Sequence, residues 1–524
     1  AFRCNSYATF IYYSFIIKFD GKGGGKMSWD TDWLTNRARI TPDRVAVVNG
    51  ASGEEYTYSQ LNNRAENLAC SLLIQGIYKG ERVGLISPNN ICYIDLLFAC
   101  MKIGAIFVPL NWRLSKQEMD VILEDCKPKI LFYMKETSQF ITKNYVDIAC
   151  NVESKTYNKW VTDVGYRENT EIEIDAPLAI IYTGGTTGKP KGVVLTHQSI
   201  FYNTINTINS WNITANDTTL TSLPMFHTGG LNVLTLPLLH IGGKVVIGEK
   251  FDPVEVIHLL NKYLVTIAIF VPTMYHFMIQ TKEFHECDFP SMHTFLSGGA
   301  PCSYIIYEAF EQKGLRFKEG YGLTEAGPNN FYIDPKDVKH KRGSVGKPML
   351  YNKVKIINED GIEVNVGEVG EIVIQGAHMF HHYWNRPEAT QEAIKSGWLY
   401  TGDLGKKDKD GYFYIVGRKK DMIITGGENV YPLEVEHVIA RCNDVKEVAV
   451  VGIKDEKWGE FVAAFIVKEP DSTLTAKDVE IHCRSIIAGY KIPRRIVFLP
   501  ELPKTAVGKI DKMKLEELGE MNKA

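Results

Sequence analysis

The sequence has almost no net charge and no long stretch that lacks charged residues. In its 524 residues, 59 lysines and arginines nearly balance 62 aspartates and glutamates, which gives a formal net charge of −3. Proteins that bind nucleic acid usually carry a basic excess, so that class is disfavoured. A membrane-spanning helix needs about 18 or more consecutive apolar residues. The most apolar stretch, Ile91–Leu110, contains Asp95 and Lys102, which predicts a buried helix running into a strand and no transmembrane segment.

Closely spaced cysteines are also missing. The 10 cysteines stand singly between Cys4 and Cys483, without a Cys-x-x-Cys pair and without a Cys/His cluster at zinc-site spacing. In a chain of this length such residues are typical of reduced, partly buried thiols, although a disulfide stays open. We therefore predict a cytoplasmic protein.

The first 26 residues differ from the rest of the sequence. Ala1 stands where an initiator Met is expected, and Tyr7–Phe19 is a tyrosine-rich apolar stretch. A signal peptide is one interpretation, but Lys18 interrupts the stretch and no small-residue cleavage site follows it. We expect residues 1–26 to be a non-native or disordered leader, with Met27 as the native start.

Helical and strand-like patterns alternate from about Asp30 onward, which favours the α/β class. Apolar spacing predicts a helix over Ser59–Ile74, and Thr196 is placed to cap the helix that follows it. Short apolar segments predict the strands Arg82–Ile86, Leu178–Tyr182, Val265–Val271 and His293–Leu296. The predicted fold is a large multi-sheet α/β N-terminal body with a small, mobile α+β C-terminal domain.

The clearest internal boundary lies near Gly417, and a chain of this length suggests about three units rather than one. We expect an N-terminal domain over residues 27–417 and a C-terminal lid domain over residues 418–524. The lid has elements of its own, which are enough for a small core. They are predicted as the strands Val448–Gly452 and Phe461–Val467 and a helix near Val479–Ile487.

A loop of glycine, threonine and lysine follows the predicted strand at Tyr182. Its residues are Thr183, Gly184, Gly185, Thr186, Thr187, Gly188, Lys189 and Lys191. Glycines let backbone N–H groups approach an anion, threonines donate hydrogen bonds and lysines add positive charge, which suits a nucleotide triphosphate. A Walker A loop is excluded, because Thr183 replaces its first glycine and Pro190 its Ser or Thr. A flexible surface loop is the alternative without function.

This loop resembles the signature of the adenylate-forming superfamily, which contains acyl- and aryl-CoA synthetases, luciferase and peptide-synthetase adenylation domains. The usual pattern has Ser where this sequence has Gly184, so one hydroxyl is missing from the phosphate contacts. Other segments that resemble the family's motifs follow in its order and span nearly the whole chain. They are Pro224–Gly230, Ser297–Pro301, Gly320–Glu325, Tyr400–Asp403, Gly417–Arg418, Gly426–Asn429 and Pro503–Lys509.

The resemblance implies a role for each matching residue. Tyr321 would stack on adenine, and Asp403 and Arg418 would bind the ribose, with core packing and a structural ion pair as the bland alternatives. Glu325 would bind Mg²⁺ with help from Thr187, since hard cations prefer oxygen ligands. The implied ATP-binding residues are the eight loop residues above together with Gly298, Gly299, Ala300, Gly320, Tyr321, Gly322, Thr324, Asp403, Arg418 and Lys509.

Lys509 is implied to be the catalytic lysine, which reaches the α-phosphate and the attacking carboxylate. His227 would border the acyl pocket and move between two half-reactions, although a lone histidine is more often structural. Lys420 matches the hinge of the C-terminal domain. Implied contacts with CoA come from three residues of that domain: Gly427, Trp458 and Lys491.

Activating a carboxylic acid needs little proton transfer, because its pKa of about 4–5 leaves it ionised at neutral pH. Positioning and electrostatics are therefore the main requirements. The predicted function is that of an ATP-dependent, AMP-forming acid–CoA ligase that makes acyl-CoA through an acyl-adenylate. Mg²⁺ is the expected cofactor, ATP and CoA are the co-substrates, and a homodimer stays open.

The acid itself is harder to predict. Pro109–Leu114 and Tyr321–Pro328 look most like bacterial fatty-acyl and 4-coumarate-type ligases, whereas Asp32–Leu34 and Lys457–Gly459 resemble o-succinylbenzoate–CoA ligases. We rank a medium- or long-chain fatty acid first and an aryl acid or o-succinylbenzoate second. Small residues expected to face the acyl group favour a bulky or long acid: Gly230, Gly299 and Ala300.

Two further functions compete with the ligase. One is an adenylating enzyme with a non-CoA acceptor, such as a peptide-synthetase domain, but Pro224–Gly230 lacks the acidic residue that binds an amino group. The other is a degenerate, non-catalytic binding protein. The presence of Lys509, Glu325, Asp403 and Arg418 argues against it.

Overall fold

The computed structural model describes residues 31–141, 145–167, 170–184, 190–505 and 510–521. Strands in these ranges form five sheets, four in an N-terminal body and one in the C-terminal part of the chain. The predicted class is confirmed: a multi-sheet α/β body is followed by a smaller domain. The predicted leader, residues 1–26, lies outside the described residues.

The first seven-stranded sheet has a parallel centre. Ile106–Leu110 is buried along its whole length between Arg82–Ile86 and Pro177–Thr183, as expected for parallel strands covered on both faces. Pro177–Thr183 then pairs antiparallel with Lys191–Thr196. The strand order is His382–Tyr383, Lys191–Thr196, Pro177–Thr183, Ile106–Leu110, Arg82–Ile86, Ile130–Tyr133 and Ile148–Asn151.

Two smaller sheets are mainly parallel and adjoin each other, since Thr266 N–H donates to Thr218 O at 2.9 Å. The four-stranded sheet has the order Glu55–Thr57, Val45–Asn49, Lys244–Ile247 and Thr218–Thr221. The three-stranded sheet has the order Ile267–Phe270, Thr294–Ser297 and Phe317–Glu319. The carboxyl ends of parallel strands meet at one edge, which is where ligands bind in α/β folds.

The remaining two sheets are mainly antiparallel. The seven-stranded one has the order Phe331–Tyr332, Ser344–Pro348, Phe413–Arg418, Trp398–Lys407, Gly370–Gln375 and Lys353–Ile357, with Ile394–Lys395 beside Trp398–Lys407. The C-terminal sheet has the order Glu428–Val430, Ile423–Thr425, Gly459–Lys468 and Val445–Asp455, with Arg495–Phe498 beside Gly459–Lys468. The chain passes from one sheet to the other just after Arg418.

Helices cover the sheets, and none in the described ranges is long and apolar enough to cross a membrane. The α-helices are Trp33–Ile40, Tyr58–Ile74, Cys92–Ile103, Lys116–Cys126, Lys155–Thr162, His197–Trp211, Thr228–Leu231, Thr235–Ile241, Pro253–Lys262, Pro272–Ile279, Lys282–Glu286, Tyr304–Gln312, Pro387–Ala393, Pro432–Ile439, Ala476–Arg484 and Lys512–Met521. The 3₁₀ helices are Lys135–Phe140, Thr324–Ala326, Val338–His340, Lys419–Asp421 and Gly489–Lys491.

The predicted elements are confirmed with small shifts of their ends. Thr196 caps its helix as expected, since its side chain accepts from Ser199 N–H. The strand predicted over Val448–Gly452 is longer because it pairs along Gly459–Lys468 for most of its length. The last predicted helix starts earlier, at Ala476, because Thr475 forms a capping box with Asp478.

The apolar segment at Ile91–Leu110 folds into a buried helix and strand, and both of its charges are paired. Asp95 is fully buried and accepts hydrogen bonds from Arg64 Nε at 3.0 Å, Arg64 Nη2 at 2.6 Å and Tyr157 Oη at 2.9 Å. Lys102 Nζ lies 2.8 Å from Asp32 Oδ2. Because a buried ion is costly without partners, these pairs fix how the helix packs against its neighbours.

We expect Asp95→Asn to destabilise the protein by about 3–5 kcal/mol, because Arg64 would keep its charge without a partner. The measurement is denaturant unfolding followed by tryptophan fluorescence. Glu286→Gln is the control, since its pair with Lys282 is exposed on both sides and should contribute less than about 1 kcal/mol. Equal effects of the two changes would contradict this interpretation.

Candidate active site

The predicted phosphate loop connects two antiparallel strands, Pro177–Thr183 and Lys191–Thr196, with Thr183 opposite Lys191. Of the loop residues predicted to bind ATP, five lie outside the described residues: Gly185, Thr186, Thr187, Gly188 and Lys189. Lys509 lies outside them as well. A Cβ added to Gly184 would meet no atom of the described residues within 4 Å, so these residues leave room for a serine there.

Glu325 lies in the short 3₁₀ helix Thr324–Ala326 and is held by a segment from another part of the chain. Phe380 N–H donates to its backbone oxygen at 2.8 Å. Tyr383 Oη donates to its Oε1 at 2.7 Å. Lys191 Nζ lies 5.0 Å from the centre of the Tyr383 ring, on the side of the phosphate hairpin. Lys191 and Glu325, both close to the predicted site, thus contact the same tyrosine, one at its ring and the other at its hydroxyl.

The donor chemistry at Glu325 fits Mg²⁺. Its Oε1 accepts a hydrogen bond from Tyr383 Oη, and this is the one side-chain hydrogen bond to the Glu325 carboxylate among the described residues. Mg²⁺ is usually bound by one or two carboxylates together with substrate phosphates rather than by a full protein cage. No group of three or more His, Cys, Asp or Glu side chains that could hold a metal ion occurs among the described residues.

Tyr321, Asp403 and Arg418 are brought together as the sequence predicted. Tyr321 Oη donates to Asp403 Oδ2 at 2.6 Å, and Arg418 Nε lies 3.1 Å from Asp403 Oδ1. Burial and the neighbouring Asp403 charge raise the pKa of Tyr321 well above its usual value, so the hydroxyl stays a donor. Asp403 is buried whereas half of the Arg418 side chain is exposed, which leaves the guanidinium accessible to a ligand.

Two glycine-containing turns extend the edge of the three-stranded sheet. Gly298, Gly299 and Ala300 follow one strand, and Gly320 follows the next, with Gly320 N–H donating to Ser297 O at 2.8 Å. Gly299 has a φ of 83°, a left-handed conformation that favours glycine. The turns therefore lie side by side at the ligand-binding edge of parallel strands.

The loop that carries Glu325 is closed by Asn330, which is fully buried. Asn330 N–H donates to Tyr321 O at 3.2 Å, and its Nδ2 donates to Gly327 O at 2.9 Å. His378 Nε2 lies 3.0 Å from Asn330 Oδ1. Burial lowers the pKa of His378 to about 4, so its neutral ring can donate this hydrogen bond at physiological pH. Thr324, also predicted to bind ATP, is buried in the same loop.

Two ionisable residues lie buried directly before this loop, on opposite faces of the strand Phe317–Glu319. Burial raises the pKa of Glu319 to about 7, even though Tyr307 Oη and Cys302 N–H donate to its carboxylate. Burial lowers the pKa of Lys318 to about 7. The Lys318 Nζ is 4.7 Å from the ring of Trp211 and 4.4 Å from that of Tyr332.

His227 caps the short helix Thr228–Leu231, with its Nδ1 accepting from Gly229 N–H at 3.1 Å. The same turn lines a cavity between the four-stranded sheet and the helices that follow it. Residues around that cavity are Thr219, Leu220, Thr221, Leu223, Gly229, Gly230, Leu234, Thr235 and Ile269.

The small size of Gly230 has a different cause from the one predicted. A Cβ on Gly230 would lie 2.3 Å from Pro224 O and 2.6 Å from Leu223 O, so it would meet backbone rather than an acyl group. Gly322 is similar, since its Cβ would lie 1.9 Å from Pro328 O. These glycines are required by the packing of the turns, and the argument from Gly230 to a bulky acid was wrong.

The predicted hinge and CoA residues lie in and after the 3₁₀ helix Lys419–Asp421. Lys420 is exposed there, and Gly427 has a φ of 86° with open space around its Cβ position. Trp458 is 38% exposed and has Arg494 stacked 4.5 Å from its ring centre. Lys491 instead pairs with Glu434 at 2.7 Å, so its charge is already neutralised within the domain.

Sequence reasoning missed Tyr383 and Asn330, both of which contact predicted site residues. Tyr383 lies in the aromatic run from His381 to Trp384, which core packing explains equally well. Asn330 offers only its position five residues after Glu325. No local pattern marks either residue, because each acts through contacts with distant parts of the chain.

Comparison with known proteins agrees with this geometry. The model of the AMP-binding enzyme family matches residues 34–384, and that of the AMP-binding enzyme C-terminal domain matches residues 434–509. A feruloyl-CoA synthase of Amycolatopsis sp is 36% identical over 480 residues, which are 91% of this chain and 96% of that protein. A long-chain-fatty-acid–CoA ligase of Mycobacterium tuberculosis is 36% identical over 495 residues, 92% of this chain and 97% of the ligase.

Solved structures of one further protein are similar throughout. The o-succinylbenzoate CoA synthetase of Bacillus subtilis in complex with its acyl-adenylate intermediate is 31% identical, with a TM-score of 0.82 over 93% of this chain and 98% of that one. Its complex with ATP and magnesium ion gives 30% identity and a TM-score of 0.81 over 91% and 98%.

We expect Gly230→Ala to destabilise the protein by about 1–3 kcal/mol through overpacking against the Pro224 carbonyl. The relative preference among acids of different length should stay unchanged. Melting temperature and a competition assay between two acids measure the two effects. Gly489→Ala is the control, because a Cβ there would meet no atom of the described residues within 4 Å. A changed acid preference without loss of stability would restore the pocket interpretation.

Proposed function

The chain belongs to the family of AMP-binding enzymes and is an acid–thiol ligase, and we propose that it activates a medium- or long-chain fatty acid with ATP and transfers it to CoA. The observation that carries the proposal is the meeting of Tyr321, Asp403 and Arg418 beside the loop of Glu325. An aromatic ring, a buried carboxylate and an accessible guanidinium offer a stacking surface and hydrogen bonds for a nucleoside, next to a carboxylate suited to Mg²⁺.

The reaction divides into two displacements. In the first, a carboxylate oxygen attacks the α-phosphorus of ATP, the bond to the bridging oxygen breaks, and pyrophosphate leaves. In the second, the CoA sulfur attacks the acyl carbonyl carbon, AMP leaves, and the thiol proton is lost to solvent. Bound Mg²⁺, held by Glu325 and Thr187 together with the phosphates, would neutralise phosphate charge. Lys509 would stabilise the charge at the α-phosphate.

The choice of acid rests on the relatives, one of which is named a long-chain-fatty-acid–CoA ligase. An aryl acid or o-succinylbenzoate is the second candidate, because relatives of similar identity are named for ferulate and 2-succinylbenzoate. We assign His227 to the border of the acyl pocket.

We further propose that residues 418–524 rotate about Lys420 between the two displacements. The present orientation includes a contact that such a rotation would break: Arg441 Nη2 donates to Tyr304 Oη at 2.9 Å, and its guanidinium lies 4.5 Å from the same ring. Gly427 and Trp458 remain the candidates for CoA contact. Lys491 would have to leave Glu434 to join them.

Pyrophosphate release across a panel of acids tests the proposal. With Mg²⁺, ATP and CoA, we expect the highest kcat/KM for one of the longer saturated acids between acetate and palmitate. Benzoate, 4-coumarate and o-succinylbenzoate form the aryl arm of the panel. A best response in that arm would replace the fatty acid by the second candidate. Release that does not depend on CoA would indicate another acceptor, and no release with any of these acids would contradict both candidate substrate classes.

Lys509→Ala should lower the rate of acyl-adenylate formation by about 10²–10³-fold, the scale for one preorganised electrostatic contact. Thioester formation from preformed acyl-adenylate should keep its rate, because pyrophosphate has already left. Single-turnover assays of each half-reaction measure the two effects. The exposed Lys477 gives the control variant Lys477→Ala. An equal loss in both half-reactions would contradict the role of Lys509.

A further inference from the structure

We propose that Tyr383 is a positioning residue, which holds the Glu325 carboxylate so that its second oxygen is presented to the divalent cation of the reaction. The inference rests on the proposed function, because it assumes that Glu325 binds that cation. It assigns a role to a residue that belongs to none of the motifs in the sequence analysis. Its basis is the set of contacts around Glu325, Tyr383 and Lys191.

The backbone around Tyr383 is fixed by the sheet. The two-residue strand His382–Tyr383 pairs with Lys191–Thr196, with Tyr383 opposite Val193. Trp384 N–H donates to Gly192 O at 2.7 Å, just beyond the paired strand. Tyr383 N–H donates to Thr390 Oγ1 at 2.9 Å. The residue is 8% exposed, so the hydroxyl has little freedom to take another direction.

The same segment holds Glu325 at two points. Phe380 N–H donates to the Glu325 backbone oxygen at 2.8 Å, and Tyr383 Oη donates to its Oε1 at 2.7 Å. A carboxylate fixed at its backbone and at one oxygen keeps its other oxygen in a defined place. Groups that hydrogen-bond a metal ligand in this way orient the ligand and raise metal affinity.

The ring of Tyr383 also contacts the phosphate hairpin. Lys191 precedes Val193 by two residues and so lies diagonally across the strand pair from Tyr383, on the same face. Its Nζ is 5.0 Å from the ring centre, within the range of a cation–π contact. Tyr383 thus restrains a cation and an anion of the predicted site through different parts of one side chain.

The alternative is that Tyr383 is an ordinary core tyrosine whose hydroxyl found a buried acceptor. Tyr412 provides a chemically matched control: its Oη donates to Asp337 Oδ2 at 2.9 Å, and Lys341 and Lys347 lie 4.8 and 4.7 Å from its ring. Tyr412 is not among the residues assigned to ATP, CoA or the acid. Loss of each hydroxyl removes the same kind of hydrogen bond.

The test measures cation binding without turnover. Mn²⁺ is titrated into the full chain with ATP and no acid, and the free ion is followed by electron paramagnetic resonance. Mn²⁺ is the probe because it prefers the same oxygen ligands as Mg²⁺. Tyr383→Phe keeps the ring and the contact with Lys191 but loses the hydroxyl. We expect it to raise the dissociation constant of Mn²⁺ about 10-fold or more, while Tyr412→Phe leaves it unchanged.

A double-mutant cycle with Glu325→Gln separates positioning from a general loss of structure. If Tyr383 acts through Glu325, Tyr383→Phe should weaken Mn²⁺ binding in the native background and have little further effect in the Glu325→Gln background. Three outcomes would overturn the role of Tyr383 and leave the proposed function standing. They are equal effects in both backgrounds, an unchanged dissociation constant in Tyr383→Phe, and equal weakening by Tyr412→Phe. Failure of the native chain to bind Mn²⁺ with ATP would overturn the proposed function as well.

Discussion

The candidate site depends on the pairing of a two-residue edge strand, His382–Tyr383, with Lys191–Thr196. This pairing joins parts of the chain that are almost 200 residues apart and brings the phosphate hairpin next to the loop of Glu325. Two residues make too few ladder hydrogen bonds to hold such a strand on their own. Flanking contacts add support, since His381 N–H donates to Val194 O at 2.9 Å and Trp384 Nε1 to Asp125 O at 3.2 Å. Displacing this edge strand would therefore separate Lys191 from Glu325.

Much of the fold and part of the site could be predicted from the sequence. The strand Arg82–Ile86 and the capping by Thr196 follow from local apolar patterns and side-chain chemistry, which the folded protein retains. Tyr321, Asp403 and Arg418 could be grouped because each stands in a recognisable motif. Tyr383 and Asn330 could not, since their importance comes from hydrogen bonds with residues at distances along the chain that no periodicity encodes.

The glycines also show what could not be predicted from the sequence. Small residues near a pocket invite the conclusion that they make room for a ligand. At Gly230 and Gly322 the missing side chain instead lets two stretches of backbone approach closely. Backbone packing therefore requires glycine at these positions, and their small size gives no information about the acid. Gly184 differs from these two glycines, because a Cβ there would meet no atom of the described residues within 4 Å.

Lys318 and Glu319 have a consequence for how the protein responds to pH. Burial raises the pKa of Glu319 from 4.5 to about 7. The contribution of Glu319 to folding stability is therefore lost as the pH rises from 4.5 to about 7. Burial lowers the pKa of Lys318 from 10.5 to about 7. The contribution of Lys318 to folding stability is therefore lost as the pH falls from 10.5 to about 7. The sum of the two losses is largest near neutrality. There, unfolding would let the glutamic acid release a proton and the lysine take one up, a proton exchange between neighbours that leaves the total charge nearly unchanged.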